Sequence, residues 1–289
     1  AAINTVMYYA ASIYSMAGYD NETSIWLSGY TALAQAVGVF FGILLVDRMG
    51  RRPLLLLSVG LVTLCLGLLG LSFLQSAVYS PRVDRLPQSE CSSMHYPLWG
   101  HVPTTNCARC VSVPGCGFCG SPEGLGYCMP VGENGVPTGE CAAFQSEEGY
   151  GVDFNAWTTG TCATEGSGTL SVVAMVLYLV CFGIGISPIP WTMTSEIYPQ
   201  RGRALMTSAS TGTNWICNFI VSMTFLSLAS PMALGPHGAF FLFAIIGLNG
   251  WLWLFFNLPE TKGLSLEEVE VLFTKDHEFT KLKQYQAIV

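Results

Sequence analysis

The sequence predicts an all-α membrane protein: six transmembrane helices with a disulfide-rich loop inserted between the third and fourth. Three observations carry that expectation. The 289 residues are 51% hydrophobic and 11% charged, with a mean hydropathy of +0.46, against roughly 25% charge in an ordinary soluble domain. Six stretches contain no Asp, Glu, Lys or Arg: 1–17, 24–46, 53–75, 169–195, 204–228 and 238–258. Each is close to or above the roughly 20 residues that cross the hydrocarbon as a helix. Between the third and fourth, at 76–168, the composition turns polar and holds eight of the 11 cysteines.

Basic residues orient the bundle. Arg48, Arg51 and Arg52 lie between spans two and three, Arg201 and Arg203 between four and five, and Lys262, Lys275, Lys281 and Lys283 in the tail. The short loops 18–23 and 229–237 carry no Lys or Arg. The basic side is therefore expected in the cytoplasm and the long loop outside. The net charge of −7 identifies no partner, and nothing points to nucleic acid. The first residues read as the middle of a span, with no initiator Met and no basic leader, so a preceding segment is expected.

Taken in order, the first span carries Asn4, with Tyr8 one turn later on the same face. Asn21-Glu22-Thr23, in the short outer loop, is an N-glycosylation sequon. Gln35 stands in the second span. The third is apolar throughout. In the loop that follows, Cys91, Cys107, Cys110, Cys116, Cys119, Cys128, Cys141 and Cys162 form an even set on the oxidising side, where disulfides are expected. Zinc is the rival reading. Five residues separate Cys110 from Cys116, against roughly 15 to 20 between the pairs of a ribbon-type site, so no metal is expected. The run C-A-R-C-V-S-V-P-G-C-G-F-C-G resembles the small disulfide module of plexins, semaphorins and integrins. A stapled surface loop with no ligand of its own is the preferred reading.

The fourth span contains Gly183-Ile184-Gly185-Ile186-Ser187-Pro188-Ile189-Pro190-Trp191. Pro188 and Pro190 remove backbone donors, and a broken helix at membrane depth is tolerated where it lines a cavity or is buried in protein. Trp191, just past the break, can lay its ring on the C–H face of a cyclic polyol while its N–H bonds a hydroxyl. In the fifth span Asn214 and Asn218 share a face at i and i+4. Amides offer both donor and acceptor, which suits adjacent hydroxyls. The competing reading is that they bond helix to helix. After the sixth span, Ser265 and Glu268 form an S-x-x-E capping box opening a short helix at 266–273. Cys65, Cys181 and Cys217 lie inside spans and are expected to pack as small apolar residues.

I-N-T-V-M-Y-Y, V-D-R-M-G-R-R, P-I-P-W, S-E-I-Y-P, N-W-I-C-N-F and P-E-T-K-G occur in this order. Their order and spacing resemble the second half of sugar porters of the major facilitator superfamily. The cysteine-rich loop and M-Y-Y-A-A-S-I make the chain most similar to the proton myo-inositol cotransporters among them. The resemblance implies that the chain is the C-terminal half of a twelve-helix carrier, lacking a six-helix N-terminal half and built of two inverted three-helix repeats. Residues 1–75 would be helices seven to nine, 76–168 the extracellular loop, 169–258 helices ten to twelve, and 259–289 a cytoplasmic tail. It further implies substrate contacts at Asn4, Gln35, Trp191, Asn214 and Asn218, and an extracellular gate at Tyr8 and Tyr9. A cytoplasmic gate is implied in which Arg48, Gly50, Arg51 and Arg52 meet Glu196 and Arg203. These arginines also satisfy the charge rule alone. Two departures stand out: the paired glutamines upstream of Asn4 are absent, and Ala2 replaces the usual glycine before Ile3. Gly183 stands where many facilitative glucose carriers have an acid.

The expected activity is alternating-access transport of a small neutral polyol, with protons, across the plasma membrane, and no enzymatic chemistry or cofactor. A facilitative hexose carrier is the first alternative, and a receptor or adhesion protein working through its loop the second. No Asp, Glu or His lies in the interior of a span, which places the proton-carrying group outside this chain.

Overall fold

The computed structural model describes residues 3–83, 91, 93–96, 100–120, 125–132, 157–158, 162, 167–199, 202–230, 233–264 and 268–269. Cys141, Arg201, Ser265 and the basic residues of the tail beyond Lys262 lie outside these, as does most of the expected tail helix.

The first span is not one helix but two, α1 (Ile3–Tyr8) and α2 (Ala10–Met16), divided at Tyr9, whose φ of −104° and ψ of 14° leave the helical basin. Hydrogen bonding is continuous across the bend: the Tyr9 N–H donates to Thr5 and the Ile13 N–H to Tyr9. α3 (Asn21–Met49) begins at an N-cap, Asp20, whose carboxylate accepts the Thr23 N–H at 3.1 Å. Hydrogen bonding from Thr23, its side chain first and its N–H second, holds the exposed Asp20 carboxyl below its usual pKa. α3 is joined to α4 (Arg51–Tyr79) by Gly50 alone, at φ +98°. This left-handed conformation suits glycine, and a Cβ there would also lie 2.9 Å from Glu260 Oε2.

α4 is the central pillar, with α6 (Ser167–Ile184) on one side and α9 (Gly235–Asn257) on the other. α7 (Ile189–Ile197) and α8 (Arg203–Ala229) complete the bundle. Four helices among the described residues are long and apolar enough to cross a membrane: α3, α4, the combined α6–α7 segment and α9. α8 is 27 residues long but more polar.

Lipid offers no hydrophobic drive to join helices, so close packing must do it. α3 supplies Gly38-x-x-x-Gly42 to α6. A Cβ on Gly38 would lie 2.5 Å from the Val180 carbonyl oxygen, and one on Gly42 2.4 Å from that of Ile184. From the other side, a Cβ on Gly183 would lie 2.7 Å from the Val39 nitrogen. The core between α1, α2, α4, α6, α8 and α9 includes Tyr14, Leu69, Met175, Tyr178, Phe225 and Phe240. Phe73 stacks on Phe240 at 5.5 Å and Phe225 meets Phe240 edge-on at 6.0 Å. Outward, Phe40, Ile43, Trp215, Phe219, Trp253 and Phe256 remain exposed, as lipid or a further protein layer requires.

The loop folds as a small module around its cysteines. Its strands are β1 (Arg82–Val83), β2 (Ser93–Tyr96), β3 (Gly100–Pro103), β4 (Cys116–Gly120), β5 (Leu125–Pro130) and β6 (Trp157–Thr158), with α5 at Cys107–Cys110. One sheet has the order β1-β5-β4-β6, and β2 pairs with β3. Disulfides join Cys91 to Cys116, Cys107 to Cys162 and Cys110 to Cys128, and Cys119 is also disulfide-bonded. The module is fastened to the bundle. Asn106 Nδ2 donates to the Ala77 carbonyl near the end of α4, and Ser76 Oγ on α4 donates to the Cys162 carbonyl.

Candidate functional site

The site is organised by two interrupted helices, α1–α2 and α6–α7. In the second, the chain leaves the helix after Ile184 because Pro188 and Pro190 donate nothing to the preceding turn. Residues 185–188 form a turn, and Pro190 then sits in the first turn of α7, where its missing N–H has no partner to lose. The Ser187 N–H reaches back five residues to the Phe182 carbonyl, and the Ile189 N–H reaches Gly185. Gln35 is packed at this break, its backbone oxygen 2.8 Å from where a Gly183 Cβ would stand. Trp191 follows on α7 with 52% of its surface exposed.

α8 faces the same region. Asn214, Asn218 and Ser222 recur every four residues and so share a face. At one end of that face Ser222 is held by the first span: its hydroxyl bonds Thr5 Oγ1 at 2.8 Å, and its carbonyl accepts the Tyr9 hydroxyl at 3.3 Å. Tyr9 also stacks on Phe225 with ring centroids 5.5 Å apart. At the other end an open cleft of about 570 Å³ is lined by Tyr198, Met206, Ala209, Ser210, Thr213 and Asn214. The Tyr198 hydroxyl bonds that of Ser210.

The five side chains Asn4, Gln35, Trp191, Asn214 and Asn218 share one property. Among the described residues, none of them makes a side-chain hydrogen bond, although Asn249 and Asn257 on α9 each donate to a carbonyl one turn back at 2.8 Å. Amides serving helix association would show partners across a helix interface; these keep both donor and acceptor free. Tyr8 is 67% exposed, whereas Tyr9 is committed to α8.

The charged end, opposite the loop, is densely bonded instead, although Arg52 Nε is buried without a hydrogen-bond partner among the described residues. Arg51 Nη2 donates to Glu196 Oε1 at 3.0 Å, and Thr261 Oγ1 donates to Glu196 Oε2 at 2.8 Å. Glu260 accepts the backbone N–H groups of Arg51 and Arg52, both at 3.0 Å. These are among the unpaired donors of the first turn of α4, and the negative charge suits that end of the helix dipole. The same carboxylate accepts the N–H groups of Thr261 and Lys262. Arg52 Nη2 donates to the Phe255 carbonyl, and Lys262 Nζ to that of Arg48. Arg203 stands apart from the Arg51–Glu196 pair, its Nε donating to the Tyr198 carbonyl. Arg48 is exposed and enters through its backbone only.

Sequence reasoning missed Glu260 and Thr261 as members of this network, and Ser58 and Ser222 as partners of the broken helices. No spacing rule joins positions so far apart. Sequence reasoning also passed over Gly38-x-x-x-Gly42, the local pattern that signals the tight α3–α6 crossing.

The family model for sugar (and other) transporters matches residues 1–82 and 150–273. A proton myo-inositol cotransporter of Homo sapiens is 36% identical over 282 residues, covering 94% of this chain and 42% of the relative. The proton myo-inositol cotransporter hmit-1.1 of Caenorhabditis elegans is 36% identical over 283 residues, covering 94% and 45%. Inositol transporter 4 of Arabidopsis thaliana is 36% identical over 282 residues, covering 93% and 46%. The chain thus spans less than half the length of these relatives. Among solved structures, the proton:xylose symporter XylE bound to 6-bromo-6-deoxy-D-glucose superposes with a TM-score of 0.55 at 17% identity, over 94% of this chain and 39% of XylE. The inward-open xylose transporter XylE from E. coli gives 0.50 at 16% identity, over 94% and 41%. At such identities the likeness concerns the fold.

Proposed function

The chain belongs to the sugar transporter family, a family of multi-pass membrane transporters and not of enzymes, and on that premise we propose that it forms helices seven to twelve of a proton-coupled myo-inositol carrier. The observation that supports the proposal is that five polar or aromatic side chains on α1, α3, α7 and α8 make no side-chain hydrogen bond among the described residues. Asn4, Gln35, Asn214 and Asn218 would bond the hydroxyls of the polyol, and Trp191 would cover its C–H face. Similarity to proton myo-inositol cotransporters over nearly the whole chain supports the substrate and the coupling.

Transport proceeds by alternating access. Tyr8 and Tyr9 close the outer side, and the Arg51–Glu196 pair with Glu260 and Thr261 closes the inner one, with Arg48, Gly50, Arg52 and Arg203 around it. The domain limits follow the spans: 1–75, 76–168, 169–258 and 259–289. The loop and Asn21, the glycosylation acceptor, face outward at the plasma membrane, and the tail faces the cytoplasm. An acid in the remaining half carries the proton.

Uptake of labelled myo-inositol by the full-length protein at pH 5.5 and 7.5, with glucose as competitor, tests this reading. Faster inositol uptake at the acid pH, resistant to glucose, is expected. Glucose uptake without pH dependence would identify a facilitative hexose carrier. Reconstituted alone in liposomes, the 289-residue chain should show no proton-linked uptake, and coupled uptake by it would refute the half-carrier reading.

A further inference from the structure

The break in span four leaves backbone groups that the helix no longer serves. In a continuous helix the Cys181 carbonyl would accept the Gly185 N–H, and the Ile186 N–H would donate to Phe182. Here the Phe182 carbonyl is taken by Ser187. The two remaining groups meet a single side chain from another helix. Ser58 Oγ, on α4, donates to the Cys181 carbonyl at 2.6 Å and accepts the Ile186 N–H at 3.1 Å. Ser58 is 1% exposed, so water cannot substitute, and one hydroxyl uses its donor and one lone pair on opposite sides of the break.

The neighbouring residue fits this arrangement. A Cβ on Gly185 would lie 2.4 Å from Ser58 Cβ, 2.9 Å from Ser58 Oγ and 2.8 Å from the Leu54 carbonyl oxygen. Only a glycine lets the turn approach α4 closely enough for the bridge. The Gly185 carbonyl then receives the Ile189 N–H and starts α7, two residues before Trp191. The direction in which α7 leaves the break is therefore set at Ser58.

We propose that Ser58 is a positioning residue for substrate binding: by bridging Cys181 and Ile186 across the break, it fixes the start of α7 and hence the place of the Trp191 ring. The inference rests on the transport reading above. It extends that reading to Ser58, which does not line the cleft beside Asn214 and belongs to no motif singled out in the sequence.

Ser72 supplies a matched control. It lies on the same helix, is fully buried, and bonds the Ser171 hydroxyl on α6 at 2.8 Å, but far from the break. Full-length wild type, Ser58→Ala, Ser58→Cys and Ser72→Ala are compared by amide hydrogen exchange in lipid nanodiscs and by inositol uptake kinetics. In Ser58→Ala, exchange in peptides spanning 185–191 should rise roughly tenfold or more, as a buried backbone group loses its partner. The KM for inositol should rise roughly tenfold with a smaller change in maximal rate. Ser58→Cys, a weaker donor and acceptor, should fall between, and Ser72→Ala should leave both readouts at the wild-type value. Gly185→Ala, which crowds the same hydroxyl from the other helix, should reproduce Ser58→Ala and stands in for it if that variant does not fold. Unchanged exchange at the break, an equal rise in Ser72→Ala, or increased exchange with an unmoved KM would each overturn the proposal. A wild-type protein that moves no inositol would instead refute the transport reading, and the exchange comparison would still judge the Ser58 bridge.

Discussion

The charged end of the bundle and the region around its broken helices use polar residues in opposite ways. At the charged end, Glu260 accepts four backbone N–H groups and Glu196 has a partner for each carboxylate oxygen. Around the broken helices, Asn4, Gln35, Trp191, Asn214 and Asn218 hold no side-chain hydrogen bond among the described residues. In a low-dielectric setting an unmet polar group costs free energy that packing must offset. On the proposed reading, these side chains serve the solute and not the cohesion of the bundle. The contrast separates residues that should fail by unfolding from residues that should fail by losing solute.

The largest effect is expected at Glu260. Glu260→Ala strips acceptors from the first turn of α4 and from the chain after α9 together, and should lower stability by about 3 kcal/mol, visible as an earlier thermal transition in detergent. An unchanged transition would mean that water replaces the carboxylate and that the charged end is not the rigid one. Next comes the α3–α6 crossing. A Cβ at Gly42 would meet the Ile184 backbone oxygen at 2.4 Å, and backbone cannot step aside as a side-chain tip can. Gly42→Ala should cost about 1–3 kcal/mol by overpacking, again read by thermal unfolding, whereas Gly212→Ala, with open space around it, should be tolerated.

The Arg51–Glu196 pair is partly exposed, so its removal should cost about 1 kcal/mol or less. Under the proposed gating role its larger consequence is conformational, because a contact made only in the inward-closed state biases the equilibrium toward the other when removed. Arg51→Ala should raise alkylation of a Thr213→Cys reporter in the cleft. Labelling at the wild-type rate would leave Arg51 a topological residue only. The smallest effect concerns Asp20. Its carboxyl is held below the usual value by hydrogen bonding from Thr23. Its support for α3 is thus present above the ordinary carboxylate range and is lost as pH falls through the lowered value. Amide exchange at the start of α3 should rise only under strongly acid conditions, and Asp20→Ala should remove that dependence.

Much of this architecture was legible from residue patterns. Runs free of charge placed the long helices to within a few residues, since the bilayer sets a length that composition must meet. The Pro188–Pro190 pair gave the break in the fourth span for a reason local to the chain. The bend at Tyr9 was not legible: residues 1–17 contain no Pro, and their one Gly-free apolar run reads as a single helix. The partners that complete the break and the charged end were also hidden. Ser58 looks like any small residue in an apolar span, and Glu260 acts on residues more than 200 positions away. Such contacts depend on tertiary packing, which local periodicity does not encode.

The most direct test of the contrast measures two quantities on one protein. In full-length Gln35→Ala/Asn214→Ala, myo-inositol affinity and the thermal transition are determined side by side. Loss of bonds to polyol hydroxyls should weaken binding about tenfold to a hundredfold while the transition without solute stays at the wild-type temperature. Unchanged affinity together with a lowered transition temperature would contradict the account, because the amides would then be holding helices together.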